Sequence, residues 1–131
     1  MRRELFKLLP DIDGPVYELG AGWGTLTSRL AERYSQVIGY EMSPVPWLVA
    51  GLRSLRHRSL TCRLGNFWKR DLSDAKLVVC YLYPGAMKRL IDHLPKGCTI
   101  ITHTFAIPGL APISETRADD LYRTPIYTYQ T

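Results

Sequence analysis

The most constraining feature of this chain is one stretch near its start, Val16-Tyr17-Glu18-Leu19-Gly20-Ala21-Gly22-Trp23-Gly24. Val16, Tyr17 and Leu19 are strand formers, and they run directly into glycines at alternate positions. Residues 25–34 then place Leu26, Leu30 and Tyr34 on one helical face, with Arg29, Glu32 and Arg33 elsewhere. A strand, a glycine turn and a helix in that order bring bare backbone against a ligand. Glycine permits the turn and the close approach, and the amides opening the helix face whatever polar group sits there. The unit reads as a nucleotide-type cofactor site in an open α/β sheet.

Which cofactor depends on the third glycine. The dinucleotide pattern G-x-G-x-x-G would put it at position 25, which is Thr25; here it is Gly24. The pattern is instead acidic-x-G-x-G-x-G, with Glu18 as the acid. This resembles motif I of the class I S-adenosylmethionine-dependent methyltransferases. The resemblance implies S-adenosylmethionine as cofactor, held by Glu18, Gly20, Ala21, Gly22, Trp23 and Gly24. That cofactor has an ammonium on its amino-acid tail, which the Glu18 carboxylate suits.

The remaining sequence sets bounds. At 131 residues the chain is expected to be a single domain, 1–131, with one core. With 46% apolar and 22% charged residues, disorder is not expected. No apolar run is long enough to span a membrane, and the basic N-terminus lacks the apolar stretch of a secretory signal. Cys62, Cys80 and Cys98 show neither metal-ligand spacing nor a disulfide framework; they read as small strand residues, and a cytoplasmic location fits. The net charge is +5, with Arg53, Arg56, Arg58, Arg63, Lys69 and Arg70 gathered in one region. An RNA footprint and a solvated helix face both fit that cluster. No aromatics interleave with the arginines as stacking platforms require, which favours the solvated face.

In order, Leu5, Phe6, Leu8 and Leu9 form an apolar patch before Pro10 that suits a helical turn, and Gly14-Pro15 breaks the chain ahead of the first strand. Residues 36–41 are a second strand ending in Glu41, about twenty residues past the glycines, where a carboxylate can accept hydrogen bonds from both ribose hydroxyls. Ser43 and Pro44 suit the cap and first position of a helix whose apolar face would be Val45, Leu48, Val49, Leu52 and Leu55. Met42 and Trp47 would lie toward the adenine. A third strand, 60–64, leads to Gly65-Asn66-Phe67. In the resembled family an acid or amide there contacts the adenine amino group; Asn66 suits that role and equally the capping of a turn. The run 75–83 holds a buried central strand, Met87, Leu90, Ile91 and Leu94 mark a helix, and 99–102 is a fifth strand. Residues 116–123 and 125–130 read as two further strands, with Tyr122, Tyr127 and Tyr129 at strand spacing. The expected fold is therefore α/β: a Rossmann-like doubly wound sheet of the class I methyltransferase type, with parallel strands 3-2-1-4-5 plus a C-terminal antiparallel addition.

Further stretches narrow the resemblance. Gly39-Tyr40-Glu41, Asp71-Leu72-Ser73-Asp74-Ala75, Tyr81-Leu82-Tyr83-Pro84 and His103-Thr104-Phe105-Ala106-Ile107-Pro108-Gly109 look like small prokaryote-type relatives of the mitochondrial protein-lysine methyltransferases that act on the ATP synthase c-subunit and the adenine nucleotide carrier. The resemblance implies a methyltransferase acting on a protein lysine or a small-molecule acceptor. Glu18, Gly20, Ala21, Gly22, Trp23, Gly24, Glu41, Met42, Asn66, Phe67 and Tyr81 would bind the cofactor. Tyr81, Tyr83 and His103, with Phe105, are the candidates for the transfer site, because the ends of the fourth and fifth strands face the ligand crevice. No metal cluster and no Ser–His–Asp order is present. Tyr81-Leu82-Tyr83-Pro84 stands where amide and exocyclic-amine methyltransferases carry an N-P-P-Y type motif, which lowers the expectation of DNA-base and glutamine targets. Two other readings stay open: an RNA methyltransferase, and a cofactor-binding domain that needs a partner chain because little precedes its first strand.

Overall fold

The computed structural model describes residues 2–82 and 84–131. Its centre is β1 (Val16–Leu19), flanked by β2 (Val37–Glu41) on one side and β4 (Leu77–Cys80) on the other, both parallel to it. Every residue of β1 and β4 is buried, as in strands covered on both faces. β3 (Leu60–Leu64) lies outside β2, and β5 (Thr99–His103) outside β4. β7 (Pro125–Gln130) runs antiparallel to β5, and β6 (Ser114–Arg117) antiparallel to β7. The sheet order is β3-β2-β1-β4-β5-β7-β6, so the expected parallel order and its antiparallel addition are both present. The alternation of strands and helices with right-handed crossovers leaves few other arrangements.

Alternation along the strands divides the core between two faces. Val16, Val37, Leu77, Val79, Ile101 and Ile126 pack under α2 (Thr25–Arg33), joined by Leu5 and Leu9 from the region of α1 (Arg2–Lys7). Tyr17, Tyr40, Val78, Ile100 and Tyr129 face the other way, toward Met87 and Leu90 of α4 (Pro84–His93). Tyr17 and Tyr40 stack there with ring centroids 6.1 Å apart, and the Tyr17 hydroxyl donates to Asp74 Oδ1 at 2.8 Å. The β3–β4 crossing carries only a short 3₁₀ turn, Phe67–Lys69.

Two expectations are corrected. The helix α3 (Pro44–Ser54) forms where expected, but its apolar stripe faces outward: Val45, Leu48, Leu52 and Leu55 are all exposed, and only Ala50 is fully buried. The inward face is set by close approach. A Cβ on Gly24 would lie 2.8 Å from both Cα and Cβ of Ala50, so the helix axis comes too near for a leucine between them. On its other side α3 is tied to β3, where Trp47 Nε1 donates to the Cys62 carbonyl and Cys62 Sγ to the Ala50 carbonyl. The first C-terminal strand also ends earlier than expected, at Arg117. Residues 118–124 turn, because Asp120 accepts from both the backbone amide and the hydroxyl of Thr124, at 2.9 and 2.7 Å. Tyr122 therefore sits in the turn and not in a strand.

Candidate functional site

A cleft of roughly 200 Å³ opens at the C-terminal ends of the parallel strands, the end where open α/β sheets bind ligands. Its floor is the glycine turn. Gly20, Gly22 and Gly24 all have positive φ. The turn is tied to β2: Gly20 N and Ala21 N both donate to the Tyr40 carbonyl, at 3.0 and 2.9 Å. Gly22 N donates to Glu41 Oε1 at 2.9 Å, and the other carboxylate oxygen accepts from Ser43 N at 2.7 Å. Glu41 thus joins the turn to the start of α3 while standing only partly covered at the strand end. Each oxygen retains a second lone pair. Gly24, in the left-handed region, caps α2 with no side-chain acceptor, so the first-turn amides are available to a ligand near Trp23, Thr25 and Leu26.

Beneath the turn lies Glu18. It is 5% exposed and contributes to the cleft wall. The Thr27 hydroxyl, itself fully buried in the first turns of α2, donates to Glu18 Oε2. A carboxylate this dry favours a cation beside it. Gly39, next to Glu18 on β2, leaves room for this pair: a Cβ there would come within 2.9 Å of Thr27 Cγ2.

The opposite wall is aromatic. Tyr81 follows β4 and His103 ends β5; their rings stack at 4.8 Å, inclined by 9°. Phe105 stacks on the same tyrosine at 5.8 Å. Thr104 between them adopts φ 75, and Thr102 Oγ1 donates to the Phe105 carbonyl at 3.0 Å, which folds the chain back so that both rings reach Tyr81. Burial holds the His103 imidazole below its ordinary pKa, so it is neutral at pH 7.

Of the residues expected from sequence, Glu18, Gly20, Ala21, Trp23, Tyr81 and His103 line the cleft; Gly22 and Gly24 lie in the same turn, Glu41 is bonded to it, and Met42, next in the chain, is exposed. Tyr83 lies outside the described residues. Asn66 Oδ1 accepts from Trp68 N at 3.0 Å, so it caps the 3₁₀ turn. Phe67 is 4% exposed and packs in the core, backing that turn without lining the cleft. Thr27 is a site residue that sequence reasoning misses; its one signal is a hydroxyl a short way into the helix that follows the glycine turn. Arg53 lies in the last turn of α3, and Arg56 and Arg58 follow the helix; all three are exposed at the end of the sheet opposite the cleft, just before β3 begins. Arg63 is engaged locally, donating to the Tyr40 hydroxyl at 3.0 Å.

The chain is similar to known methyltransferases in sequence and in fold. The chain is 28% identical over 119 residues to the ATP synthase c-subunit lysine N-methyltransferase of Xenopus laevis, a match covering 84% of this chain and 52% of that protein. It is 26% identical over 118 residues to a protein-lysine N-methyltransferase of Saccharolobus islandicus, covering 82% of this chain and 73% of the relative. The chain spans about half the length of the ATP synthase c-subunit enzymes it matches. Among solved structures, an RNA methyltransferase from Salinibacter ruber in complex with S-adenosyl-L-homocysteine superposes with a TM-score of 0.84 at 24% identity, covering 98% of this chain and 88% of that one, a likeness of fold. The family model of the ANTKMT methyltransferase domain matches residues 18–114, from the buried acid of the glycine motif to the first residue of β6, and the chain belongs to that family.

Proposed function

We propose that this chain binds S-adenosylmethionine and transfers its methyl group to the side-chain amine of a protein lysine. The observation that carries this reading is the pair of carboxylates on either side of the glycine turn. Glu18, buried, suits an ammonium, and Glu41, partly covered at the β2 end, suits a vicinal diol. The donor set fits the cofactor: one dry acid, one partly solvated acid with unused lone pairs, and an uncapped helix start for a carboxylate. Glu18, Gly20, Ala21, Gly22, Trp23, Gly24, Glu41, Met42 and Tyr81 would hold it, with Asn66 beside the adenine through the second lone pair of Oδ1. When bound, the cofactor supplies an electrophilic methyl on a sulfonium.

The chain's own part is positioning and drying. The Tyr81–His103–Phe105 stack forms an aromatic wall beside the glycine turn that a bound acceptor would dry further by covering Tyr81. Such a wall disfavours a charged amine and so promotes the neutral nucleophile. His103, on the cleft wall beside Tyr81, is the group placed to receive, directly or through water, the proton that the lysine ammonium gives up before attack. The protein acceptor is supported by the relatives, which are named as lysine N-methyltransferases. We place the reaction in the cytoplasm, in keeping with free Cys62, Cys80 and Cys98. Among the described residues no helix is long and apolar enough to cross a membrane.

The test combines calorimetry with methyl incorporation. S-adenosylhomocysteine should bind and nicotinamide dinucleotide should not, and labelled methyl should enter protein in a lysate whether or not ribonuclease is present. Label that vanishes on ribonuclease treatment would transfer the reading to RNA. Cofactor binding with no incorporation at all would leave a binding domain that needs a partner chain.

A further inference from the structure

The β6–β7 turn lies at the same end of the sheet as the cleft. β5 runs parallel to β4 and ends at His103, and β7 is antiparallel to β5 with Ile126 opposite His103. The chain therefore enters β7 at the cleft end. Thr104 N donates to the Pro125 carbonyl at 2.9 Å, which fixes the root of the turn against the residue between His103 and Phe105. β7 is two strands from β4, a lateral offset of about 10 Å at 4.7–4.9 Å per strand.

At the crest of this turn stand Leu121, 88% exposed, and Tyr122, 84% exposed, the two most exposed large apolar side chains among the described residues. They are not displayed by a slack loop. Asp120 clamps Thr124 with both carboxylate oxygens, Arg123 N donates to the Asp120 carbonyl, and Ala118 N donates to the Thr124 carbonyl at 2.8 Å. Ala118 itself is fully buried in the core beside Ile126. A rigid turn that presents a leucine and a tyrosine to solvent loses little conformational freedom on binding, the property of an interface anchor.

We infer that Leu121 and Tyr122 dock the methyl-acceptor protein, gripping apolar residues about three positions along the chain from the modified lysine. The inference rests on the protein-lysine reading. The occupant follows from continuity with the cleft: a chain whose lysine enters beside Tyr81 and His103 and which continues across β5 meets this turn next. An extended chain advances about 3.3–3.6 Å per residue, so the offset is bridged in about three residues.

The experiment compares the full chain with the Leu121→Ala/Tyr122→Ala variant, using labelled methyl incorporation into lysate protein and calorimetry with S-adenosylhomocysteine. The expected result is unchanged affinity for S-adenosylhomocysteine with transfer to protein reduced about tenfold or more at limiting acceptor, and recovered toward wild type as lysate protein is raised. That pattern is an effect on KM, which a loss of folding would not give. Transfer equal to wild type at limiting acceptor would overturn the docking role and leave the methyltransferase reading intact. Binding of S-adenosylhomocysteine by the wild type without any transfer to protein would overturn the protein reading, and the docking role with it. Two controls name other occupants. If the wild type sediments with phosphatidylserine vesicles and the variant does not, or if the variant loses self-association seen in the wild type, while transfer is equal, the turn serves a membrane or a second copy and the inference fails.

Discussion

The carboxylate of Glu41 accepts a hydrogen bond from the backbone amide of Gly22 at 2.9 Å, joining the end of the second strand to the middle of the glycine turn. One residue thus shapes the turn and stands at the cleft end of β2. Its second oxygen holds Ser43 N, so the start of α3 depends on the same group.

Glu41→Ala should therefore weaken S-adenosylhomocysteine binding by more than one lost ribose contact. Each charge-assisted hydrogen bond is worth about 1.5–3 kcal/mol, so a rise in Kd of at least tenfold is expected by calorimetry. Glu41→Gln, which keeps a carbonyl acceptor, should lie between. An unchanged Kd in the alanine variant would remove Glu41 from the site.

Gly24→Ala should destabilise the fold. The residue sits at φ 82, and its added Cβ would come within 2.8 Å of Ala50 backbone and side chain. Strain and overpacking together are expected to cost about 1–3 kcal/mol in urea unfolding. A wild-type midpoint would show that α3 moves away freely.

The α3 stripe and the core should respond oppositely. Leu52→Gln, at an exposed position, is expected to change stability by no more than about 0.5 kcal/mol. Leu30→Ala, at a fully buried position under the sheet, should cost about 2–5 kcal/mol. A large loss from Leu52→Gln would mean that the stripe is covered in solution.

His103 gives stability a pH dependence of known sign. Its folded pKa lies below the ordinary value of 6.5, with burial the main cause. The unfolded state then binds more protons as pH falls below 6.5, so the contribution is complete above that pH and is lost on descending from 6.5 toward the lower folded pKa. Urea midpoints from pH 7.5 to 5 should fall, and His103→Asn should flatten that slope. A slope unaltered by the substitution would assign it to other groups.

Transfer should separate the aromatic wall from the arginines. Tyr81→Ala is expected to lower methyl transfer severely, while Tyr81→Phe, which keeps the stacking ring, should retain most of it. Replacing Arg53, Arg56 and Arg58 together by Gln should leave transfer to protein unchanged at two salt concentrations, since they lie at the far end of the sheet. Loss in the arginine variant with Tyr81→Ala still active would point to nucleic acid, with a salt slope reduced by about one unit per phosphate contact.

The sequence by itself determined the elements and their order in the parallel sheet. Val16 to Gly24 could be read because strand-forming residues run straight into alternate glycines and a tight turn against a helix needs glycine, both local properties. Glu41 was legible for the same reason, since the end of the second strand is a position set by spacing. Tertiary structure alone decided what depends on distance between elements. Hydrophobic periodicity marks an apolar stripe on α3 but cannot say which way it faces; the Gly24–Ala50 approach turned it outward. Asn66 suits an adenine contact and a turn cap equally in the sequence, and only the fold shows that its oxygen holds Trp68 N. Tyr122 has strand spacing, yet Asp120 reaching Thr124 ends the strand before it. Thr27 matters because the fold of α2 over β1 brings its hydroxyl to Glu18, a meeting nine residues apart in the chain that no motif records. Side-chain type is local, whereas the partner that gives it a role is chosen by packing.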